Sequence, residues 1–361
     1  MAFRLDRLHI EVTNVCNFKC EFCPDAIMKR RRGHMDLALL EKILDQVAVH
    51  RLARIITFHL MGEPMIYPHI FEAMAMARDR GLDLHLTTNG STFDLRRDHI
   101  DKLIAADIPK VTISLQTPNA ESFILRGAPP KLQPKHYFDS IIRYVKANSA
   151  AAVSTRVHIK LLDTTPNPFL VPHKPMHIVE GKAQIQAELW RWAETFLSDD
   201  NAEKDWSGDH LLQHRIANHK PGRWQLVELH PRLFLETFPL DSWGNVESSE
   251  VISARFGYCN GASQQAGILY DGTVVPCCKD YEGHIPLGNV TETPLPSIFN
   301  GPAACGLRQG FDRLQVTHPI CQRCMGADTP AKAVLRQVGS VGYFKLYHPL
   351  KKRLDPQWGE V

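Results

Sequence analysis

The sequence predicts an α/β protein whose parallel sheet is curved into a barrel or partial barrel. From residue 5 to about 162, short runs rich in apolar and β-branched residues alternate with longer runs of helical periodicity. Repeated βα units with right-handed crossovers build a parallel sheet. Every motif-bearing loop follows a predicted strand, which is where parallel barrels carry their active sites. No Gly-rich phosphate-binding fingerprint follows the first strand, so an open dinucleotide-binding sheet fits less well.

The predicted elements of this barrel alternate in order along the chain. Asp36 is suited to cap the first helix, whose apolar residues recur at i, i+3, i+4 and i+7. Gly81 is the expected stop of the second helix, and Pro134 is a tolerated first-turn residue of the fourth. Strands are predicted at 5–12, 54–60, 82–88, 110–116 and 153–162, and helices at 69–80, at 97–106 and from 134 onward.

Residues 163–250 differ in character because prolines and tryptophans are dense there. A helix is predicted at about 183–197, and the remainder is irregular until residues 224–229. We interpret this region as the last barrel element plus an insertion, which either covers the core or forms a substrate-binding lid. Its tryptophans are Trp190, Trp192, Trp206, Trp224 and Trp243. The chain then divides into a barrel core (1–162), this region (163–250), a cysteine-rich domain (251–330) and a basic tail (331–361).

Bulk properties indicate a cytoplasmic globular protein. The chain has 361 residues and a formal net charge of +3, which is too small to indicate nucleic-acid binding. It contains no apolar run of about 18 residues and begins without the apolar stretch of a signal peptide, so no membrane association is expected. The nine cysteines fall into a front and a back group with none between residues 24 and 258. This clustering predicts two metal sites in a reducing compartment rather than a disulfide framework.

The front cysteines, Cys16, Cys20 and Cys23, have the spacing C-x3-C-x2-C in a loop after the first strand. Three thiolates this close can bind one cubane iron–sulfur cluster. Such clusters are usually held by four cysteines, so one iron of this cluster stays open for a small molecule. The open iron indicates a catalytic rather than a structural site.

This loop, with Phe22 before its third cysteine, resembles that of the radical S-adenosylmethionine (SAM) superfamily. The resemblance implies a partial (β/α)6 TIM-like barrel with a [4Fe–4S] cluster. It further implies reductive cleavage of SAM to methionine and a 5′-deoxyadenosyl radical, which takes a hydrogen atom from a substrate. A zinc or disulfide site in the same loop is the alternative.

The resemblance also implies which residues bind SAM. The second strand ends in a Gly-Glu-Pro turn, which in the family binds the SAM amino group, and the fourth strand carries a Ser that meets the ribose or carboxylate. This chain has Ser-Leu-Gln where many members have Ser-Ile-Asp, so an amide replaces a carboxylate. The expected SAM contacts are Phe22 on the adenine, Gly62, Glu63 and Pro64 in the turn, Asn89, Ser114, Gln116 and Arg126.

The back cysteines resemble the SPASM/twitch domains that carry auxiliary clusters. Residues 269–276 predict a hairpin with Asp-Gly at its turn. The spacing is similar to the single-cluster twitch type of the 2-deoxy-scyllo-inosamine dehydrogenases. The resemblance implies a second [4Fe–4S] cluster and leaves Cys278 and Cys305 spare; its expected ligands are Cys259, Cys277, Cys321 and Cys324. A structural zinc site is the competitor.

Together these resemblances imply an oxidoreductase that dehydrogenates its substrate while the auxiliary cluster accepts an electron. Arg156 and His158 are candidates for a base, and none is assigned. The expected partners are a small-molecule or peptide substrate and a reductant such as flavodoxin or ferredoxin, which the basic run at 29–32 could attract. One alternative is a maturase of ribosomally made peptides; another is a non-enzymatic binding protein with two zinc sites.

Overall fold

The computed structural model describes residues 3–96, 98–167, 176–198, 210–241, 243 and 250–354, and a single sheet runs through it. Its strands are β1 (Leu5–Ile10), β2 (Ala53–Thr57), β3 (Leu84–Thr88), β4 (Lys110–Gln116), β5 (Arg156–Asp163), β6 (Gln225–His230), β7 (Leu233–Pro239), β8 (Gln265–Ile268), β9 (Thr273–Val275) and β10 (Gly288–Asn289). They lie in the order β10-β9-β8-β1-β2-β3-β4-β5-β7-β6.

Six of these strands form the parallel barrel sheet. Strands β1 to β5 pair in sequence and β7 pairs with β5, all in parallel. At one edge β6 pairs antiparallel with β7, and at the other β8 lies parallel to β1. The sheet therefore ends in two edge strands instead of closing, and the predicted partial barrel is confirmed.

Helices and short turns cover the outside of this sheet. The described helices are α1 (Leu37–His50), α2 (Ile70–Asp79), α3 (Thr92–Leu95), α4 (Asp98–Ala106), α5 (Ala120–Phe123), α6 (Pro134–Ala150), α7 (Gly181–Leu197), α8 (His210–Ala217), α9 (Leu295–Asn300), α10 (Pro302–Asp312), α11 (Pro319–Met325), α12 (Pro330–Val341) and α13 (His348–Leu354). Single 3₁₀ turns occur at Pro24–Ile27, Pro64–Ile66 and Ile124–Arg126, and a π turn at Gly342–Tyr347. No described helix has the length and apolar character needed to cross a membrane.

The first helix forms for the reason its sequence indicates. The Asp36 Oδ1 atom accepts hydrogen bonds from the backbone N–H groups of Ala38 and Leu39, which satisfies two of the unpaired donors at the helix start. Its periodic apolar residues are all buried against the sheet: Leu40, Ile43, Leu44 and Val47. The predicted helices at 69–80, 97–106, 134 onward and 183–197 are likewise confirmed within a few residues as α2, α4, α6 and α7.

Region 163–250 contains a strand pair that the sequence left unresolved. After α7 and α8 the chain forms the β6–β7 hairpin, and β7 supplies the sixth parallel strand. The first five residues of β7 are buried, so it lacks the alternation that marks a half-exposed strand. Trp192 of α7 is fully buried in the core. Trp206 lies outside the described residues.

The cysteine-rich part of the chain is attached to the barrel through the sheet itself. Strand β8 continues the sheet beyond β1, and the predicted hairpin is confirmed as β8 and β9 with a turn at Asp271-Gly272. Gly272 has a φ of +87°, which suits glycine. The largest buried apolar cluster contains barrel side chains and side chains of α9 and α10 alike. The predicted basic tail includes α12 and α13, and Lys352 of α13 pairs with Asp6 of β1 at 2.8 Å.

Candidate active site

The front cysteine loop follows β1 and is held by the chain segment at 125–127. The backbone N–H of Lys19 donates to Arg126 O at 3.0 Å, and that of Glu21 donates to Leu125 O at 2.9 Å. Gly127 has a φ of +50°, and a Cβ atom there would lie 2.7 Å from Lys19 O. The loop therefore depends on a backbone approach that only glycine allows at this position.

The chemistry of the loop fits a metal cluster. In the described chain all three cysteines are free of disulfides and line one cavity. Burial raises the pKa of all three thiols, that of Cys16 to about 12. Buried thiolates need a compensating cation, which iron supplies when it displaces the protons. The Phe18 N–H points at Cys16 Sγ at 3.4 Å and would add a further stabilising donor.

The cavity has a volume of about 540 Å³ and lies at the carboxyl ends of the parallel strands. It contains both the front cysteines and most of the predicted SAM contacts. Its lining includes Phe22, Gly62, Glu63, Asn89, Ser114, Gln116 and Arg126. Pro64 instead begins the 3₁₀ turn after Glu63 and is outside that lining.

Glu63 is buried and links the ends of two strands. Its Oε1 atom accepts hydrogen bonds from Thr88 Oγ1 at 2.6 Å and from Met65 N at 2.9 Å, and its Oε2 atom accepts one from Asn89 N at 2.6 Å. Asn89 Nδ2 in turn donates to Asn17 Oδ1 at 3.0 Å in the cysteine loop. The carboxylate therefore positions the SAM-side loops, and contact with the SAM ammonium stays a prediction.

Two buried polar atoms in this part of the cavity have no hydrogen-bond partner. They are Gln116 Oε1 and Arg126 Nε. The Arg126 guanidinium lies 4.8 Å from the Phe18 ring centroid and 5.9 Å from that of Phe22. An unpaired acceptor and an unpaired cationic donor match the ammonium and carboxylate of an amino-acid ligand. The residues present thus fit SAM, although the assignment of each contact stays a prediction.

The back cysteines predicted as ligands come together in space. Burial raises the pKa of Cys277, and the nearby thiolates of Cys278, Cys259, Cys324 and Cys321 raise it as well. Cys259 Sγ also receives the Gly261 N–H at 3.4 Å. Cys277 follows β9, and α11 carries Cys321 and Cys324. Their role as cluster ligands stays a prediction.

Cys278 and Cys305, the two cysteines without a predicted ligand role, lie in different parts of the structure. Cys278 is half-buried beside this back group and also lines the cavity, so one cavity reaches from the front cysteines to the residue next to Cys277. Cys305 of α10 instead receives a hydrogen bond from Arg308 Nη2 at 3.2 Å and faces Asn300 O at 3.3 Å. It takes part in neither group.

No three His, Cys, Asp or Glu side chains of the described residues converge as ligands of a single metal ion would. In a cubane each thiolate binds a different iron, so this observation concerns single ions such as zinc and leaves a cluster unaffected.

Several cavity residues escaped the sequence analysis. These are His59 after β2, Lys160 on β5 and Phe238 on β7, whereas Trp224 just before β6 is one of the tryptophans expected in the core or in a substrate lid. Of these residues, only Lys160 could have been identified from the sequence. It lies two residues beyond His158 and four beyond Arg156, so the three share one face of β5. His158 is buried and is outside the cavity lining. Further charged residues of the lining without a predicted role are Asp25, Asp241 and Lys279.

Two of the four cations in the basic run at 29–32 are engaged within the chain. Arg30 Nη2 binds both oxygens of buried Glu11 at 2.9 and 2.8 Å, and Arg32 Nη1 binds Asp25 Oδ1 at 2.5 Å. Lys29 and Arg31 are exposed. Arg30 and Arg32 therefore hold the loop, and Lys29 and Arg31 face solvent.

Two family profiles match this chain. The profile of the Radical SAM superfamily matches residues 10–165, and that of SPASM, an iron–sulfur cluster-binding domain, matches residues 259–325. The AdoMet-dependent heme synthase of Methanosarcina barkeri is 24% identical over 356 residues, which cover 95% of this chain and 96% of the relative.

Other relatives match over shorter stretches. A tungsten-containing aldehyde ferredoxin oxidoreductase cofactor-modifying protein of Pyrococcus furiosus is 29% identical over 121 residues, 33% of each chain. The SAM-dependent 2-deoxy-scyllo-inosamine dehydrogenase of Niallia circulans is 37% identical over 60 residues, 16% of this chain and 24% of the relative. The chain thus matches a third or less of the length of these two relatives.

Solved structures share the fold. SuiB of Streptococcus suis bound to S-adenosylmethionine has a TM-score of 0.55 and 18% identity, covering 85% of this chain and 68% of that one. The AdoMet-bound structure of anSMEcpe has a TM-score of 0.52 and 14% identity, covering 94% of this chain and 96% of that one. At these identities the likeness concerns the fold alone.

Proposed function

Because this chain is a member of the radical SAM superfamily with a C-terminal SPASM domain, we propose that it catalyses the two-electron oxidation of its substrate. When bound, the front cluster and SAM supply an electron and a 5′-deoxyadenosyl radical that takes a hydrogen atom. The substrate would then lose one proton and one further electron, and a cluster held by Cys259, Cys277, Cys321 and Cys324 would supply the electron acceptor. The setting we propose is the cytoplasm, with flavodoxin or ferredoxin as the electron source.

The single observation behind this proposal is the shared cavity. Cys16, Cys20 and Cys23 line one part of it, and Cys278, which adjoins Cys277 of the back group, lines another. A substrate in this space would contact the radical-generating side and lie beside the auxiliary side at once. That arrangement supports an oxidation, because the second electron would have a short path to an acceptor.

The residues of this chain have defined tasks in the proposal. Arg126 offers an unpaired Nε–H to the SAM carboxylate, and Gln116 offers an unpaired oxygen to its ammonium. Phe22 presents an aromatic ring on the same side of the cavity. Trp224 and Phe238 form apolar walls that exclude water from the space beyond.

The test is anaerobic incubation of the iron-loaded protein with SAM and dithionite, with 5′-deoxyadenosine measured by chromatography. Cys20→Ala removes one of the three front thiolates, so we expect product to fall at least ~100-fold, to the level of the protein-free control. Cys305→Ala is the matched control, because Cys305 belongs to neither group, and it should retain full cleavage. Undiminished 5′-deoxyadenosine from Cys20→Ala would refute the proposal.

A further inference from the structure

Three residues that follow β7 connect the front and back sides of the cavity. Leu240, Asp241 and Trp243 all belong to the cavity lining. Asp241 pairs with Lys279 on the side of the back cysteines. Trp243 contacts the other side, since its Nε1–H donates to Phe22 O in the front loop at 3.1 Å. The chain just beyond the sixth parallel strand therefore links the two sides.

The Trp243 ring is half-buried against a small apolar cluster. Cys23 and Cys278 contact the same cluster, whose buried members are Met28, Leu60, Met61, Leu269, Val275 and Tyr281. The Trp243 ring centroid lies 6.3 Å from that of Tyr281, and the two rings are nearly perpendicular, at 89°. The indole therefore stands in the wall between one front cysteine and one back cysteine.

The backbone of Trp243 has a conformation that few large residues adopt. Its φ is +50°, in the left-handed region. A bulky residue persists there only where its surroundings offset the strain, and such residues cluster at functional sites. The contacts with Phe22 and Tyr281 are surroundings of this kind. The strain thus indicates that the position of this indole matters.

The hydrogen bond from Trp243 fixes a part of the front loop that its other contacts leave open. On the opposite side, residues 125–127 accept two N–H groups of the loop, both before Phe22. The Trp243 N–H instead binds the carbonyl of the peptide group that joins Phe22 to Cys23. Because a peptide group is planar, holding its oxygen limits the directions of the Phe22 ring and the Cys23 side chain.

The other tryptophan of the described cavity lining has a different partner. Trp224 donates its Nε1–H to Glu236 Oε1 at 2.9 Å, and Glu236 lies on β7. Both indoles line the cavity, but that of Trp224 is tied to the sheet and that of Trp243 to the front loop.

We propose that Trp243 is a positioning residue for SAM. Its indole N–H holds the Phe22 carbonyl, so that the Phe22 ring presents a fixed face to the adenine. Its own ring closes the cavity wall between SAM and the back cysteines. This inference rests on the proposed function, since it assigns a task within the same site.

The test removes the indole N–H and keeps the shape of the ring. In 3-benzothienylalanine a sulfur atom takes the place of that N–H. Isothermal titration calorimetry on the anaerobic, iron-loaded protein without reductant gives the SAM dissociation constant, and no cleavage is needed. With benzothienylalanine at position 243 we expect this constant to rise about three- to tenfold, because one neutral hydrogen bond contributes about that factor. The iron content should stay that of the parent protein.

Two further replacements control for the altered side chain. At position 243, 5-fluorotryptophan keeps the N–H and should hold the SAM dissociation constant within about twofold of the parent value. The matched control is benzothienylalanine in place of Trp190, which is also half-buried but lies on α7 outside the cavity lining. It should likewise stay within about twofold.

Two results would overturn the role of Trp243. One is an unchanged SAM dissociation constant with benzothienylalanine at position 243. The other is a loss of iron from that variant, because the indole N–H would then hold the cysteine loop together rather than position SAM.

The readouts keep this inference separate from the proposed function. The titration needs only SAM binding, whereas the proposed function needs cleavage. A parent protein that binds SAM with the expected dependence on Trp243, yet forms no 5′-deoxyadenosine with dithionite, would overturn the proposed function alone. Normal 5′-deoxyadenosine formation by the parent, with an unchanged dissociation constant in the benzothienylalanine variant, would overturn the role of Trp243 alone.

Discussion

Gly62 shows at the level of one residue how closely the SAM-side loop approaches the cysteine loop. Its φ is +79°, and a Cβ atom built there would lie 2.4 Å from Thr13 O and 2.8 Å from Asn14 Cα. The next residue, Glu63, donates its N–H to Val15 O at 2.9 Å. Because the opposing atoms are backbone, no side-chain rotation can relieve the contact.

Gly62→Ala should therefore be far more damaging than a comparable change elsewhere. We expect a loss of about 2–5 kcal/mol in the free energy of unfolding, from left-handed strain plus overlap, together with lower iron uptake by the front loop. Gly81→Ala is the matched control: Gly81 has a φ of +65° but no atom within 4 Å of the added Cβ. It should lose about 1–2 kcal/mol. Urea denaturation measures both, and equal losses would contradict the steric explanation.

At the level of elements, residues 24–34 form a segment that closes over the cysteine loop. Arg30 ties this segment to Glu11, the residue after β1, and Asn14 accepts the Gly33 N–H at 2.8 Å. Glu11 is buried and has a raised pKa because of that burial, which Arg30 opposes. A buried ion pair thus joins this segment to the end of β1.

Arg30→Met should destabilise the protein by about 3–5 kcal/mol, because it leaves a buried carboxylate without its cation. The pKa of Glu11 would then rise further above its unfolded value, so the folded state would bind the proton more tightly than the unfolded state. The loss should consequently grow as pH rises from 5 to 8. Thermal and urea unfolding at both pH values measure it.

Arg31→Met is the control for this change, since Arg31 is the next residue and its side chain is exposed. It should alter the free energy of unfolding by no more than about 0.5 kcal/mol at either pH. A similar loss in both variants would show that the basic run acts through its total charge rather than through the Glu11 pair.

At the level of the whole molecule, one sheet carries both cysteine groups. The front group follows β1, and the back group is attached through β8, which pairs with β1 in parallel. This pairing brings Cys278 to the cavity that the front cysteines line. The barrel and the back group therefore form one continuous structure around the proposed substrate space.

Cys321→Ala should remove the proposed auxiliary cluster and leave the proposed front cluster in place. Removing one of the back thiolates should cost about four irons per chain out of about eight, while SAM binding stays intact and substrate oxidation is lost. Cys305→Ala is the matched control and should keep all of its iron, because its thiol faces Asn300 and Arg308. Iron analysis and calorimetric SAM titration measure these outcomes. Unchanged iron in Cys321→Ala would show that the ligand set is wrong.

Much of the fold could be predicted from the sequence because its signals are local. The cap at Asp36 and the apolar period of α1 depend on neighbours within a few residues, and both are confirmed. Strand β7 was not resolved, since burial on both faces removes its alternation. The barrel fold could still be predicted, because the βα order of its first five strands was readable.

The candidate site likewise has features that the sequence predicts and features that only the structure shows. The sequence by itself determined the C-x3-C-x2-C loop, the Gly-Glu-Pro turn and the grouping of the back cysteines, since each is a short pattern of fixed spacing. Only the tertiary structure decided that Arg30 is directed at Glu11 and that Lys160, Trp224 and Cys278 line one cavity. These contacts join residues that are far apart in the chain. They depend on sheet curvature and strand register, which long-range packing sets and no local pattern encodes.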